Sequence, residues 1–495
     1  MSKEKMKFDR KCFLKILGIV LLFSLFLFPY NYCSDIYNVI DSGYWEYAKE
    51  WFAPAGRTVG MGVLFIFEMM QIPINMYIFT MKVLAVFIAT FSIYTFYKMV
   101  LETIDYDEKK DLSKKKYIFV AVILIFLNMG SYQYFYYAES AIMWLGVLFT
   151  VLAVKKVINN NDKVRYLKAF LLLFIAMNCY QATILFFIPT TLLLLGIKKD
   201  KVIKIISETL KLSVIVGLCL ILGYFVLQGL TEYFKLVPYR NNTISFDKEN
   251  ALKVLYYLIT QNHNKTGNNF IYLLINIFSV LVILFIKKKF LINKKILTVL
   301  TLILIITSAF VQTWAIVSVV DYYIADRIQF AYLSTVGMCM LYLIMYTKLF
   351  DYKKVINVCY ICLILFLIYI IANANFISIL NRYVRSQDKF EGETIAQAIE
   401  EYEKENNCKV EKVIYCLDNY VTYDCVNIKS FGDPTFRIFA SPWVFESALK
   451  YYIGYDLEIS QSQDAFEDVF LARNWNEFDE RQIKFEGNTL YLCVY

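Results

Sequence analysis

Two aspartates and an arginine follow the first long apolar run of the chain, in the stretch DIYNVIDSGYWEYAKEWFAPAGR at residues 35–57. An aspartate such as Asp35 or Asp41 can take a proton from an attacking hydroxyl group. An arginine such as Arg57 presents a planar fork of N–H donors that matches the oxygens of a phosphate group. The stretch therefore combines a candidate base with a candidate anion-binding residue.

Other charged residues are candidates for binding a substrate or its phosphate because of where they lie along the apolar runs. Arg240 lies in a polar loop between two runs, and Lys82 lies inside a run, where an ionisable residue is a functional candidate by default. Lys82 can also snorkel to the membrane surface. Glu139 begins a helix, where its charge also suits the helix dipole. Arg327 begins another helix, so either Asp326 or an anionic ligand must compensate its charge.

Several classes of soluble enzyme are excluded by the residues present. The chain has a single histidine, His263, which excludes a histidine triad and a multi-histidine metal site. It contains no P-loop, GxGxxG, HExxH or GxSxG motif. Acid–base chemistry therefore falls to carboxylates. No metal site is predicted, and the residues leave open whether a divalent cation takes part as a cofactor.

The elements that must position these residues are membrane helices. Hydrophobic residues make up 59% of the 495 residues, the mean hydropathy is +0.49, and the apolar residues come in long runs. This composition predicts an α-helical polytopic membrane protein. The formal net charge of +8 comes from lysines clustered between the runs, as in cytoplasmic loops, and does not suggest a nucleic-acid partner. The basic N-terminus leads into an apolar run without a small-residue cleavage site, which indicates an uncleaved first helix.

The basic clusters predict about eleven transmembrane helices, with the N-terminus in the cytoplasm and the C-terminus outside. A first outer loop at 32–75 contains an apolar stretch, 58–71, that we expect to lie in the membrane interface. The predicted crossings are 13–31, 76–97, a hairpin over 117–154, a hairpin over 167–197, 211–230, 268–286, 296–316, 328–347 and 355–373.

The chain divides by composition into a multi-pass transmembrane domain, 1–373, and a small extracytoplasmic α/β domain, 374–495. The second part reads as an amphipathic helix, EGETIAQAIEEYEKENN, followed by the strand-like runs VEKVIYCL, YVTYDCVNIK and TLYLCVY. Four cysteines there either form disulfides or remain free thiols in a small core. They are Cys408, Cys416, Cys425 and Cys493.

The layout resembles the GT-C superfamily of membrane glycosyltransferases, which carry acidic residues in the first outer loop. Within it, DSGYWEYAKEWFAPAGRTVG resembles the Gtr-type (Gtr class II) bacterial glucosyltransferase family, which has an acidic pair, a short aromatic helix and a Gly-Arg step. Asp41 matches the first acidic position, and Gly56 and Arg57 match the Gly-Arg step. Ser42 stands at the second acidic position, which leaves Asp35 as the alternative carboxylate.

The resemblance implies an enzyme of the bacterial cytoplasmic membrane that moves a sugar, glucose in this family, from a polyprenyl-phosphate donor to a surface glycan. It also implies two partner proteins, a synthase that loads the lipid and a small flippase that turns it outward. Asp41 would be the base and Asp35 its reserve. Arg57, Arg327, Arg240, Lys82, Glu139 and Asp326 would contact the donor or the acceptor.

Two other functions are compatible with a helical membrane protein of this kind. A polysaccharide polymerase or ligase has a similar topology, but it often has a large arginine-rich outer loop, whereas the loop at 231–267 holds one arginine. A non-enzymatic flippase for lipid-linked oligosaccharides should show charges through the depth of the bundle and internal repeats. Lys82 is the main such charge, and we find no convincing repeat.

Overall fold

The computed structural model describes most of the chain as helix, with a small sheet near the C-terminus. It describes residues 8–28, 32–104, 112–159, 164–198, 202–236, 248–260, 269–286, 295–319, 325–346, 353–418, 431–475 and 478–494. The predicted strand YVTYDCVNIK, with Cys425, and the candidate residues Arg240 and His263 lie outside these ranges.

Seventeen α-helices precede the first strand among the described residues. They are α1 (Arg10–Ser24), α2 (Asp35–Ser42), α3 (Tyr44–Tyr47), α4 (Thr58–Met69), α5 (Ile74–Ile104), α6 (Leu112–Phe126), α7 (Met129–Tyr136), α8 (Ser140–Asn159), α9 (Arg165–Cys179), α10 (Phe187–Ile197), α11 (Val202–Tyr233), α12 (Lys248–Thr260), α13 (Asn269–Phe285), α14 (Lys295–Val319), α15 (Phe330–Leu333), α16 (Thr335–Tyr346) and α17 (Lys353–Asn406).

Six described helical stretches are long and apolar enough to cross a membrane, or seven if the bent pair of α6 and α7 is one span. The six stretches are α5, α8, α11, α14, the stretch Asp326–Tyr346 and the apolar part of α17. This confirms a largely helical protein with several apolar helices of membrane-spanning length. The finer count of about eleven crossings stays a prediction, because α1, α9, α10 and α13, which cover predicted crossings, are shorter than a full span.

Three helical paths are interrupted in the part of the chain that carries the polar candidates. α6 and α7 meet at an angle of 59°, and Asn128 at the break caps α7 through reciprocal hydrogen bonds with Ser131. α9 ends at Cys179, the extended residue Tyr180 follows, and a 3₁₀ segment, Gln181–Phe186, leads into α10. Another 3₁₀ segment, Asp326–Gln329, precedes α15.

The described chain forms two compact units. The first, the membrane unit, comprises residues 1–28 and 48–375, and the second, the α/β unit, comprises 29–47 and 376–495. The α/β unit therefore includes α2 and α3 from the predicted first outer loop. α17 is continuous over Lys353–Asn406, so the predicted amphipathic helix is its second half and not a separate element.

The α/β unit contains a four-stranded sheet. Its strands are β1 (Lys412–Leu417), β2 (Glu458–Gln461), β3 (Ile483–Glu486) and β4 (Thr489–Val494), in the order β2-β1-β4-β3. β1 is parallel to β2 and to β4, and β3 is antiparallel to β4. Alternate residues of β1 face opposite sides: Val413 packs in a core with helix α18 (Pro442–Ile453), and Cys416 packs against the short helix α19 (Asp464–Asp468).

Two of the predicted C-terminal cysteines are neighbours in this sheet. Cys416 on β1 lies opposite Cys493 on β4, and both side chains are fully buried. Both are free thiols in this structure, as is Cys408. The hydrogen bond with the thiol of Cys416, together with burial, raises the pKa of Cys493 well above its usual range.

A buried charged cluster fastens α17 to the segment before α18. Arg437 donates a hydrogen bond to Glu391, and Asp388 accepts one from the amide of Ile438 at 3.1 Å. Burial raises the pKa of Glu391 to about 7 although Arg437 acts in the opposite direction. The charged half of α17 is thus held in the core of the α/β unit by paired groups, as buried charges require.

Candidate functional site

Arg57 lies between two aromatic rings of the membrane unit. A π-helical turn, Ala48–Phe52, and a tight turn precede it. Its amide donates to the carbonyl of Phe52 at 2.9 Å. Its guanidinium carbon is 5.7 Å from the ring centre of Phe52 and 5.0 Å from that of Tyr180. Its Nε is buried and has no hydrogen-bond partner among the described residues. Within the described ranges no carboxylate pairs with it, so its charge is balanced only by aromatic rings.

The turn that carries Arg57 is fastened to the break after α9. Gln181 donates a side-chain hydrogen bond to the carbonyl of Ala55, and Thr58 donates one to Asn178 at 2.7 Å. Gly56 adopts a φ of +66°, a conformation that favours glycine because other residues place a Cβ too close to the backbone. The Gly-Arg step is therefore the end of a tight turn that presents Arg57 to Tyr180.

Arg327 is held by α7. Its side chain donates to Gln133 Oε1 at 3.2 Å and to the hydroxyl of Tyr137. Its guanidinium carbon is 4.6 Å from the ring centre of Tyr137. Its backbone amide also donates to Gln133, at 3.4 Å. The partners of this guanidinium thus include neutral groups, the amide oxygen of Gln133 in α7 and the hydroxyl and ring of Tyr137 directly after that helix.

A pair of tyrosines connects the surroundings of the two arginines. The ring of Tyr134 is 5.6 Å from the ring of Tyr180 in an edge-to-face arrangement. Tyr180 is the ring beside Arg57, and the hydroxyl of Tyr134 donates to the backbone carbonyl of Arg327 at 3.0 Å. We call Arg57, Arg327, Tyr134 and Tyr180 the arginine–tyrosine cluster. Tyr180 and Arg327 come from two of the described helix interruptions, and Tyr134 comes from α7, which follows the third. Non-helical backbone in a membrane protein is typical of a binding site.

The other candidates of the membrane unit are almost fully buried. Asp326 is 2% exposed, and its Oδ2 has no hydrogen-bond partner among the described residues. Glu139 is 5% exposed and immediately precedes α8, where its carbonyl accepts the first helical hydrogen bonds. Lys82 is 1% exposed and donates to the carbonyls of Phe135 and Tyr136. Lys82 therefore satisfies the C-terminal end of α7, where the dipole favours a positive charge.

Asp35 and Asp41 belong to the α/β unit, on helix α2. Asp35 occupies the first turn of that helix. The Oδ2 atom of Asp41 accepts a hydrogen bond from the hydroxyl of Ser447 at 3.0 Å. Its Oδ1 atom is 3.9 Å from the ammonium of Lys450, and the Asp41 side chain is 31% exposed. Asp41 is thus an accessible carboxylate held by one hydroxyl and one ammonium group.

The partners of Asp41 lie on α18, and they form a network of their own. The ammonium of Lys450 is 3.0 Å from Glu446 and 3.4 Å from Asp456. Partial burial lowers the pKa of Lys450, but the hydrogen bond with Glu446 and the charge of Asp41 raise it more, so that the net shift is upward. Lys450 is therefore an ammonium ion at neutral pH.

Sequence reasoning identified the charged residues of these sites but missed most of their partners. Gln133, Tyr134 and Tyr137 lie in the segment YQYFYY, and a polar residue among aromatics at the end of an apolar run is a signal that could have pointed to them. Ser447 and Lys450 carry no such signal, because they lie about 400 positions from Asp41 in an ordinary amphipathic helix.

The structure brings no metal-binding group together within the ranges it describes. No set of three or more His, Cys, Asp or Glu side chains there could hold a metal ion.

Comparison with known proteins does not assign the chain to a family. No family model matches it, and no curated protein matches it significantly.

Proposed function

We propose that this protein is a membrane glycosyltransferase that moves a sugar from a polyprenyl-phosphate donor to a cell-surface glycan. The observation that carries the proposal is the environment of Arg57, a guanidinium between two aromatic rings. Its buried Nε has no hydrogen-bond partner in the part of the chain that the structure describes. A buried donor without a partner is costly. A phosphate oxygen would satisfy it and would neutralise the charge at the same time.

The arginine–tyrosine cluster suits the leaving group of such a reaction. When the sugar leaves, negative charge develops on the lipid phosphate, and a guanidinium in a water-poor site stabilises that charge more than it could in water. The role proposed for Arg57 and Arg327 is to hold the phosphate of the donor. The aromatic residues around them suit the first isoprene units of the lipid.

Asp41 is the proposed base. It would take the proton of the acceptor hydroxyl as that oxygen attacks the anomeric carbon, with inversion of the sugar. Its hydrogen bond with Ser447 fixes one carboxylate oxygen, which supports a defined orientation for the other. Asp35 remains the reserve carboxylate, and the sugar is proposed to be glucose only through the resemblance to the Gtr-type family.

The proposed location is the bacterial cytoplasmic membrane, with the N-terminus in the cytoplasm and the α/β unit outside. Lipid-phosphate donors suit that side because nucleotide sugars are not found there. A polyprenyl-phosphate sugar synthase and a small flippase are then the partner proteins that supply the donor.

The test is sugar transfer by the purified protein in liposomes that contain a radiolabelled polyprenyl-phosphate sugar. We expect Asp41→Asn to lower the transfer rate by at least about 100-fold, because a general base contributes roughly that factor or more. Binding of the donor should stay unchanged, since the amide keeps the size of the carboxylate. Glu46→Gln is the matched control, because Glu46 is an exposed carboxylate in the same segment.

Two results would overturn the proposal in different ways. Full activity of Asp41→Asn would exclude Asp41 as the base and leave Asp35 as the candidate base. Movement of the intact labelled lipid across the bilayer, without release of polyprenyl phosphate, would make the protein a flippase instead of a transferase.

A further inference from the structure

Helix α18 has one face that is buried and one that is exposed. Val444, Phe445, Ala448 and Leu449 are buried in the core of the α/β unit. The exposed face carries two large aromatic side chains, Trp443 at 42% exposure and Tyr451 at 44%. Between them, on the same face by helical spacing, lie Glu446, Ser447 and Lys450. We call these five residues the α18 face.

The buried side of the unit holds the ring of Tyr451 and the backbone at Trp443. The ring of Tyr451 meets Tyr37 edge-on at 5.4 Å and Tyr452 at 5.1 Å. Tyr452 in turn lies against Gly392 of α17, where a Cβ would overlap its ring. At the other end, the side chain of Asn38 donates to the backbone carbonyl of Trp443 at 3.4 Å. Fixed aromatic groups bind a ligand at a low entropic cost.

The stretch between the aromatic rings offers both kinds of hydrogen-bonding group. Asp41, Glu446 and Asp456 supply carboxylate oxygens, Ser447 supplies a hydroxyl oxygen whose proton is donated to Asp41, and the ammonium of Lys450 supplies N–H donors. The side chains of Glu446 and Asp456 are 56% and 92% exposed. A ligand that lies along α18 would therefore meet acceptors and donors between two aromatic surfaces.

These features match the chemistry of a carbohydrate chain. A sugar ring has an apolar C–H face that stacks on an aromatic ring, and its hydroxyl groups both donate and accept hydrogen bonds. Trp443 and Tyr451 are eight positions apart, which corresponds to about 12 Å along the helix at 1.5 Å per residue. That spacing suits an elongated chain of sugars. Three carboxylates against one ammonium disfavour an anionic lipid surface or a phosphate-rich polymer.

We propose that the α18 face binds the glycan acceptor, with Trp443 and Tyr451 as stacking platforms for two of its sugar rings. The inference rests on the proposed function, because it names the surface on which the acceptor of that reaction would dock. Asp41 accepts its hydrogen bond from the serine of this face, so the same surface carries the proposed base.

The test is binding of the full-length protein, purified in detergent, to an array of immobilised bacterial surface polysaccharides. We expect the wild-type protein to bind at least one class of polysaccharide. Trp443→Ala and Tyr451→Ala should each weaken that binding by about tenfold, because each removes one stacking surface. Tyr383→Ala is the matched control, because Tyr383 is an aromatic residue of the same unit at 51% exposure, away from α18. The Tyr383→Ala protein should bind the polysaccharide with the affinity of the wild-type protein.

Donor binding separates this inference from the proposed function. Trp443→Ala and Tyr451→Ala should bind polyprenyl phosphate like the wild-type protein, because neither residue belongs to the arginine–tyrosine cluster. A wild-type protein that binds no polysaccharide, or variants that bind as well as the Tyr383→Ala control, would refute the docking face even if sugar transfer is observed. The docking face would also be refuted if Trp443→Ala and Tyr451→Ala bound polysaccharide normally and instead lost binding to liposomes that contain lipid alone. Polysaccharide binding that depends on both aromatic residues, without sugar transfer, would uphold the face and refute the transferase.

Discussion

Single residues of this protein are explained by their immediate partners, and Arg57 shows this best. Its position after a glycine at the end of an aromatic segment predicts an anion-binding role. The structure adds two rings whose centres lie 5.7 and 5.0 Å from the guanidinium carbon, and a buried Nε to which no described residue offers a hydrogen bond. Aromatic faces attract a guanidinium without satisfying its N–H donors. The residue is therefore stabilised in its charged form and still has hydrogen-bonding capacity for a ligand.

Substitution of Arg57 tests whether this single side chain binds the phosphate of the donor. We expect Arg57→Gln to weaken binding of polyprenyl phosphate by about tenfold or more, through loss of a charge-assisted hydrogen bond. Arg57→Lys should not restore the affinity, because an ammonium lacks the planar fork that meets two phosphate oxygens. The measurement is equilibrium binding of radiolabelled polyprenyl phosphate to the protein in detergent.

Arg473→Gln is the control for this experiment, since it removes the charge of an exposed arginine in the α/β unit. Its affinity should match that of the wild-type protein. Equal affinity of Arg57→Gln and the wild-type protein would exclude Arg57 from the phosphate site.

At the scale of elements, the interruptions of the helices contribute more to the candidate site than the regular helices do. The long apolar runs predict spans, and the predicted hairpins over 117–154 and 167–197 contain the breaks at Asn128 and Tyr180. Hydropathy does not show that α7 bends by 59° from α6, or that α7 packs against the 3₁₀ segment Asp326–Gln329. Those contacts depend on small residues at the points of closest approach.

Gly130 is the residue that allows α7 to approach that segment. A Cβ at Gly130 would lie 2.8 Å from the carbonyl oxygen of Asp326 and 2.8 Å from the Cα of Phe330. Both are backbone atoms, which cannot move aside as a flexible side chain can. We expect Gly130→Ala to lower the free energy of unfolding by about 1–3 kcal/mol, the usual cost of overpacking. Thermal unfolding in detergent measures the change as a lower Tm.

Gly217→Ala provides the matched control on helix α11, because nothing lies within 4 Å of a Cβ added there. Alanine has a higher helix propensity than glycine, so the Tm should stay the same or rise. A Gly130→Ala protein as stable as the wild type would mean that α7 and the 3₁₀ segment do not approach as closely as described.

At the scale of the whole molecule, the chain is organised as a membrane unit and an α/β unit, and the boundary differs from a simple division along the sequence. Composition divides the chain near residue 374, close to the change at Phe376. It does not show that residues 29–47 belong with the C-terminal residues. The reason is physical: α2 buries Tyr37 in the core of the α/β unit and bonds to α18 through Asn38 and Asp41.

The orientation of the chain in the membrane is a prediction at this scale. We expect alkaline phosphatase fused after Tyr495 to be active in cells, because this enzyme folds only outside the cytoplasm. The same enzyme fused after Lys204 should be inactive, because the lysine-rich segment there is expected inside. Activity after Lys204 and none after Tyr495 would reverse the topology and remove the α/β unit from the side where surface glycans are made.

The sequence by itself determined the class of the protein, most of its helices, the strands β1 and β4, and the charged residues worth testing. These follow from local composition and periodicity, which a single sequence displays directly. Only the tertiary structure decided which residues these charges meet: Tyr180 for Arg57, Gln133 for Arg327, the end of α7 for Lys82, and Ser447 for Asp41. Such pairs join segments that are tens to hundreds of positions apart. Their partners are chosen by the way the helices pack, and no local pattern in the sequence records that choice.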